Sequence, residues 1–562
     1  MKRFFYLAAA ALVALWSCQE KVDPTTDPDP DSITITSDAV VNIDAESSIT
    51  TVTFKTNAAW KASADQEFLV LDVTSGEATE DGKIKVTAQN LPADEYGRVG
   101  HIHIVAGQAD ALVTFMQGKV FIVNGAPDQT VDGGKAEFDV TTNIPEYEVK
   151  IYDSFDWAPA TYDKATGKGS FSVAKNEGYD GRQAYVKFTV SAIQVPVYDD
   201  EGNLVEGETQ DAVYRAYVYQ AGHSSLAWQK ALPADFSVAN SDDPIHDATA
   251  SIALFGGKIL VSDATVVRAF DPATGEASTV TIPGDLPVQS ITNDDAGNLL
   301  LAELMPYLGV GRIYAVKASD TAMANPVCLI PWVNEAWSGS RGADKVAAKG
   351  DVFGNGIVTM IYGGVGSYGG ATYGLAWEVK NGSADVFDYN EWNKSTHRIN
   401  NDAWLTMPEL GDDLWLSNRA VFVPAGPAAS DGFFYSGYDG LYNLYYYDGS
   451  AWTAVAEGLG DWATAPNGMG TITWDGKKIL AVVGMAYFPH WGMPATLYIF
   501  DVTNPKEPVL LSSNQYSAEN YLHDAAEAAT TDVVLAVEGN DLTATVVDSA
   551  WGVLFKAKYP KL

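Results

Sequence analysis

The sequence predicts an all-β protein: two successive β-sandwiches followed by a β-propeller of about six blades. Three observations lead there. Apolar and polar residues alternate in short runs from Ile33 to Gly118, blocks of that stretch return at a constant spacing, and long aromatic-rich runs recur between glycine turns after Ser225. A chain of 562 residues also exceeds one core, since cores stop growing near about 250–300 residues.

Composition narrows the functional classes. With 35 Lys+Arg against 72 Asp+Glu the formal charge is −37, so the clustered cations that neutralise nucleic-acid phosphates or an anionic membrane surface are missing. The charge is spread, −17 over residues 1–224 and −20 over 225–562, as on a solubility-preserving extracellular surface where neutral sugars are easier ligands than acidic ones. A content of 47% hydrophobic and 19% charged residues describes a globular chain. Two cysteines, Cys18 and Cys328, make no disulfide framework.

Residues 1–17 read as a signal peptide: Lys2-Arg3, then the apolar run Phe4–Leu15, too short to span a bilayer. Leu15-Trp16-Ser17-Cys18 resembles a bacterial lipoprotein box, which implies a diacylglycerol on Cys18 and an outer-membrane lipid anchor. Residues 18–32 are rich in Asp and Pro and serve as an acidic tether. Acids soon after the lipidated Cys resemble the export signal of Bacteroidetes surface lipoproteins, which implies a protein facing the cell exterior.

Residues 33–119 carry period-two runs such as Val52-Thr53-Phe54 and His101-Ile102-His103-Ile104. A related copy occupies 120–223: Thr56-Asn57 returns as Thr142-Asn143 and Asn90 as Asn176, both 86 residues on, with Arg98 matched by Arg182 and Gln117 by Gln220. Phe54, Asn57 and Trp60, then Asn90, Arg98 and Gly100, then Gln117-Gly118 resemble a BACON domain, which implies an immunoglobulin-like sandwich used for glycan binding or as a spacer. The second copy departs from the pattern: Glu146 stands in the Trp60 position beside Tyr147, Tyr198–Gly202 lengthens the last hairpin, and the run before Asn176 is offset by one residue. Trp60 reads as core. His101 and His103 share a strand face without an evident third metal ligand.

Residues 224–562 repeat an apolar strand, a turn, two further strands and a polar ending, at Gly257–Val261, Gly297–Leu301, Gly356–Val358, Gly432–Tyr435, Lys478–Leu480 and Val533–Leu535. A seventh unit would need its own blade around Asp413–Leu416. Asp271-Pro272-Ala273-Thr274-Gly275 is turn chemistry, resembling the hairpin turns of quinoprotein-like and lactonase-like propellers. Ile245-His246-Asp247-Ala248 reappears as Leu522-His523-Asp524-Ala525, which reads as a structural turn before the inner strands of the first and last units, with a catalytic use left open.

Ten of the fifteen tryptophans fall between Trp332 and Trp491, and several lie in expected loops. The expected ligand-binding set is Trp332, Trp337, Arg341, Trp392, Trp462, Tyr487, His490 and Trp491, because indole faces stack on the apolar C–H faces of sugar rings. Trp377 and Trp474 read as core. Arg341, Arg398 and Arg419 are loop cations that suit either a carboxylate ligand or a neighbouring acid. No catalytic residue can be assigned: there is no H-E-x-x-H, G-x-S-x-G, Walker or Cys-x-x-Cys motif, and an acid pair cannot be chosen among 72. No cofactor or dedicated metal site is expected, although a structural Ca²⁺ in a loop is compatible with the sequence. The expected function is glycan binding at the cell surface, without nucleic acid. A propeller glycoside hydrolase or lyase and a surface adhesion protein are the alternatives.

Overall fold

The computed structural model describes residues 31–199, 203–236, 250–304, 310–333, 341–364, 373–384, 405–406, 421–436, 443–459, 464–486, 495–516, 531–549 and 551–562. Among them the secondary structure is all β apart from the 3₁₀ turn Ala429–Asp431, and no helix is long and apolar enough to cross a membrane. The chain divides into two compact units. One comprises Met1–Pro127, Lys135–Ser172 and Ala184–Val218; the other comprises Asp128–Gly134, Val173–Gln183 and Tyr219–Leu562.

The first unit opens with a sandwich. One sheet runs Ile33–Ile35, Ser48–Thr56, Thr79–Ala88, Leu69–Leu71; the other runs Val40–Ile43, Ala109–Gly118, Gly97–Ala106, Trp60–Ala64, Ser75–Gly76. Alternation sends every second side chain inward, so Val52, Phe54, Ile84, Val86, Ile102, Ile104, Val113 and Phe115 form its core. A second pair of sheets follows: Phe121–Asn124, Gly134–Thr142, Lys168–Val173, Ala160–Asp163, and facing them Glu148–Lys150, Arg182–Tyr198, Leu204–Gln220. The last two strands are 17 residues each, so the acidic insertion does lengthen this hairpin.

The internal duplication is visible as repeated hydrogen bonds. Asn57 Oδ1 accepts from Ser32 N at 2.7 Å, and Asn143 Oδ1 accepts from Val120 N at 2.9 Å. Arg98 Nε donates to Gln117 Oε1 and Arg182 Nε to Gln220 Oε1, both at 2.8 Å. The expected match of Asn90 with Asn176 is one residue out. Arg98 Nη2 donates to the carbonyls of Gln89 and Asn90, whereas Arg182 Nη2 uses those of Ala174 and Lys175. Lys175 therefore holds the place of Asn90, and Asn176, which donates its N–H to Val131 O, holds that of Leu91, which donates to Ala45 O. The one-residue offset in the apolar run is the cause: side-chain type followed the wrong register while the backbone kept its pairing.

Among the described residues the second unit contains six further sheets, built from consecutive strands except where the last recruits an earlier one. They begin with Ser251–Phe255, Ser290–Asn293, Arg341–Gly350, Val421–Pro424, Thr464–Trp474 and Thr531–Glu538, and each continues outward through antiparallel neighbours. These six first strands touch one another in sequence, and Ser251–Phe255 also touches Thr531–Glu538, so the cycle closes. The last sheet takes its outermost strand from the other end of the sequence: Ser225–Ala231 pairs with Val553–Tyr559. The expected seventh unit around Asp413–Leu416 lies outside the described residues, as do both His-Asp pairs. The Asp271–Gly275 segment is a turn as expected: Asp271 Oδ1 accepts from the N–H groups of Ala273 and Thr274, and Gly275 takes φ +71°, which glycine adopts without strain.

Candidate functional site

A cavity of about 310 Å³ is lined by all six first strands, including Ile252, Asn293, Lys345, Val423, Thr471 and Asp532. Polar contacts fix its two ends. At one, Lys345 Nζ donates to Asn467 O at 2.5 Å, to Asn467 Oδ1 at 2.8 Å and to Thr531 O. Nearby, Val346 N donates to Ser290 Oγ, Ile291 N to Ser251 Oγ and Ile252 N to Asp532 Oδ2. At the other end Lys349 Nζ donates to Asp295 Oδ1 at 2.6 Å and to Thr471 O, and Leu254 N donates to Asn293 Oδ1. Starts thus meet starts and ends meet ends, so the inner strands run the same way round the cavity. Four residues of strand set the two tiers about 13 Å apart.

This direction decides where the intervening segments attach. The described strand ends that bracket 334–340, 460–463 and 487–494 all lie at the Lys345 end, since Arg341 pairs with Gly364 and Thr464 with Ala486. Those segments carry Trp337, Trp462, Tyr487, His490 and Trp491, which lie outside the described residues, as do Cys18, Trp392, Arg398 and Arg419. Arg341 opens an inner strand at that end rather than lying in a loop. Trp332 is corrected outright. It sits in the strand Val327–Val333, is 0% exposed, and donates Nε1–H to Glu303 O at 3.0 Å, so it presents no face to a ligand. This stretch was expected as a loop; the strand tolerates Pro331 because it is outermost in its sheet, where a missing N–H costs nothing. Gly311, directly opposite, makes the room: a Cβ there would approach the Trp332 indole to 2.3 Å. Trp377 and Trp474 are core, as expected.

The Lys345 tier was not foreseen. Its titratable neighbour Asp532 is pushed up to about 6 by burial, against the opposing pull of the Lys345 charge and of the Val533 and Ile252 N–H groups. A carboxyl raised above its ordinary 3.8 favours the folded state below that value, and this contribution is lost as pH rises through 6. Relative to Asp532→Asn, the wild type is therefore expected to lose up to about 3 kcal/mol of unfolding free energy between pH 3.8 and 6. Urea titrations of both proteins across that range check it; a difference independent of pH contradicts the assignment.

The sandwich candidates are structural. Trp60 is buried and meets Phe54 edge-on at 4.9 Å, and Tyr147 plays the same part in the second copy, edge-on to Phe121 at 5.0 Å, while Glu146 is exposed. His101 Nδ1 lies 2.8 Å from Asp65 Oδ2, and His103 faces solvent. Among the described residues no group of three His, Cys, Asp or Glu is arranged to hold a metal.

Comparison with known proteins adds the following. Residues 29–119 match the family described as the Viral BACON domain, in agreement with the pattern read from Phe54 to Gly118. No curated protein matches the chain. Among solved structures, a DUF4623 family protein from Bacteroides eggerthii is 10% identical, with 94% of this chain and 95% of that one covered at a TM-score of 0.39. A quinonprotein alcohol dehydrogenase-like protein from Bacteroides thetaiotaomicron is 9% identical, with 93% and 99% covered at 0.24. A GH5 xyloglucanase from Bacteroides ovatus is 19% identical, with 16% of this chain and only 19% of that one covered at 0.15. The family described as "Domain of unknown function (DUF8500)" matches residues 235–550, more than half of the sequence, and the chain belongs to that family.

Proposed function

We propose that this chain is a surface-anchored lipoprotein whose six C-terminal sheets form a six-bladed β-propeller that binds glycan. In this reading Cys18 carries the lipid, the acidic tether and sandwiches act as a spacer, and recognition proceeds without chemistry. Closure of the inner-strand cycle and the pairing of Ser225–Ala231 with Val553–Tyr559 support the propeller, because a ring built this way leaves only short sheet edges.

One observation carries the glycan reading: the segments holding Trp337, Trp462 and Trp491 are all bracketed by strand ends at the Lys345 end of the cavity. Indoles offer apolar faces for sugar rings, and the acids and amides of a −37 chain offer partners for neutral hydroxyls. Trp491→Ala is expected to weaken binding of a recognised polysaccharide roughly tenfold, the loss of one stacking contact, with the thermal midpoint held. Calorimetric titration beside a thermal melt checks this. A large fall in the midpoint would show the indole to be core instead.

A further inference from the structure

We propose that the oxygens around Lys345 Nζ form a small-cation site that the chain fills with its own side chain, a cage suited to a monovalent cation of the ammonium class. An ammonium group has three N–H donors and no acceptor. Lys345 places all three on oxygens from two other sheets: Asn467 O, Asn467 Oδ1 and Thr531 O. Asn467 and Thr531 are fully buried, and Asn467 Oδ1 is held in position by the N–H of Thr531 at 2.9 Å. Asp532, the next residue, adds a negative charge close to the same point.

The backbone bends to deliver this cation. Lys345 takes φ +33°, a left-handed value that a residue with a Cβ seldom adopts, and the strand register shifts between Asp344 and Val346. Such strain persists only where surrounding contacts enforce it. The other cavity lysine differs: Lys349 pairs with the half-exposed carboxylate of Asp295, an ordinary ion pair. Without the Lys345 ammonium, Asn467 Oδ1 would keep the Thr531 N–H but all three cage oxygens would lose their charged donor, a costly loss for buried acceptors. A vacated cage therefore attracts a free cation. Three oxygens and one carboxylate fall short of the six to eight that Ca²⁺ takes, and donor geometry favours ammonium or methylammonium over Na⁺.

The test compares full-length wild type, Lys345→Ala and Lys345→Met by thermal unfolding in sodium, ammonium and methylammonium chloride at equal ionic strength. Lys345→Ala is expected to melt more than about 5 °C lower in sodium and to regain at least half of that loss, saturably, in ammonium. Wild type, and Lys345→Met with an apolar chain across the cage, should show no such ammonium-specific gain. An unchanged midpoint for Lys345→Ala, or a loss that ammonium repairs no better than sodium, overturns the proposal. Should Lys345→Ala fail to fold, reductive methylation of the wild type decides. Lys345 should stay unmodified after the exposed Lys83, Lys135 and Lys175 are dimethylated, and modification at their rate overturns the cage.

Discussion

The full-length chain carrying Leu226→Gly, Trp228→Gly and Lys230→Gly is expected to unfold about 10 °C below the wild type and to aggregate on heating. These residues belong to the strand that completes the last sheet from the N-terminal side. Trp228 is half-buried against the cluster containing Phe270 and Leu554 and donates Nε1–H to Pro272 O at 3.2 Å. Lys230 pairs with Glu276. Losing the indole removes about 2–3 kcal/mol of burial, and three glycines add up to about 1 kcal/mol each in chain entropy and lost packing. The consequence beyond that sum is topological. Val553–Tyr559, whose Leu554, Phe555 and Tyr559 are fully buried, would become an unpaired edge able to pair with another molecule. Scanning calorimetry with light scattering reads both effects; an unchanged midpoint and a clear solution would mean the last sheet does not depend on this strand.

Gln117→Ala is expected to lower stability of the first sandwich by about 3 kcal/mol, and Gln220→Ala to act alike in the second copy. Gln117 is 0% exposed, donates to Gln89 O at 2.8 Å and to Ala45 O at 3.3 Å, and accepts from Arg98 Nε at 2.8 Å. Truncation removes one buried amide from three partners at once, the half-buried Arg98 among them. The Arg98 guanidinium stays fixed over the Phe68 ring, 4.0 Å from its centroid, with its Nε unpaired toward the vacated space. Gln117→Met separates causes, because it keeps the volume and removes only the hydrogen bonds. Hydrogen exchange across Gly97–Gly118 should speed up by roughly a hundredfold in both variants. Protection retained in Gln117→Met would assign the effect to packing instead.

The layers of this protein were unequally legible. Strand alternation identified the first sandwich because one face of each strand is wet, so a residue pattern records the fold. The paired Arg–Gln networks were findable because each buried amide needs its partners, and Asn57 and Asn143 because each side-chain oxygen accepts a backbone N–H at the matching place in its copy. Asn90 and Asn176 misled because identical letters stood one register apart. The closing strand Ser225–Ala231 escaped notice, since its partner lies over 300 residues away and no local pattern announces such a pairing. The two His-Asp pairs, read as turns before inner strands, lie outside the described residues. Trp332 was misread as a loop residue, although Gly311 opposite was the signal that an indole needed space. Lys345 was invisible in Arg341-Gly342-Ala343-Asp344-Lys345, where nothing local says that a bulge turns the side chain across the axis.

What stands proposed is recognition of glycan without chemistry at the Lys345 end of the six C-terminal sheets. Its most direct test titrates the full mature chain, calorimetrically, with a panel of neutral plant and host polysaccharides, while the same mixtures are assayed for new reducing ends. The account predicts saturable heat with at least one neutral polysaccharide and no released sugar. Released sugar, or no heat with any glycan in the panel, would contradict it.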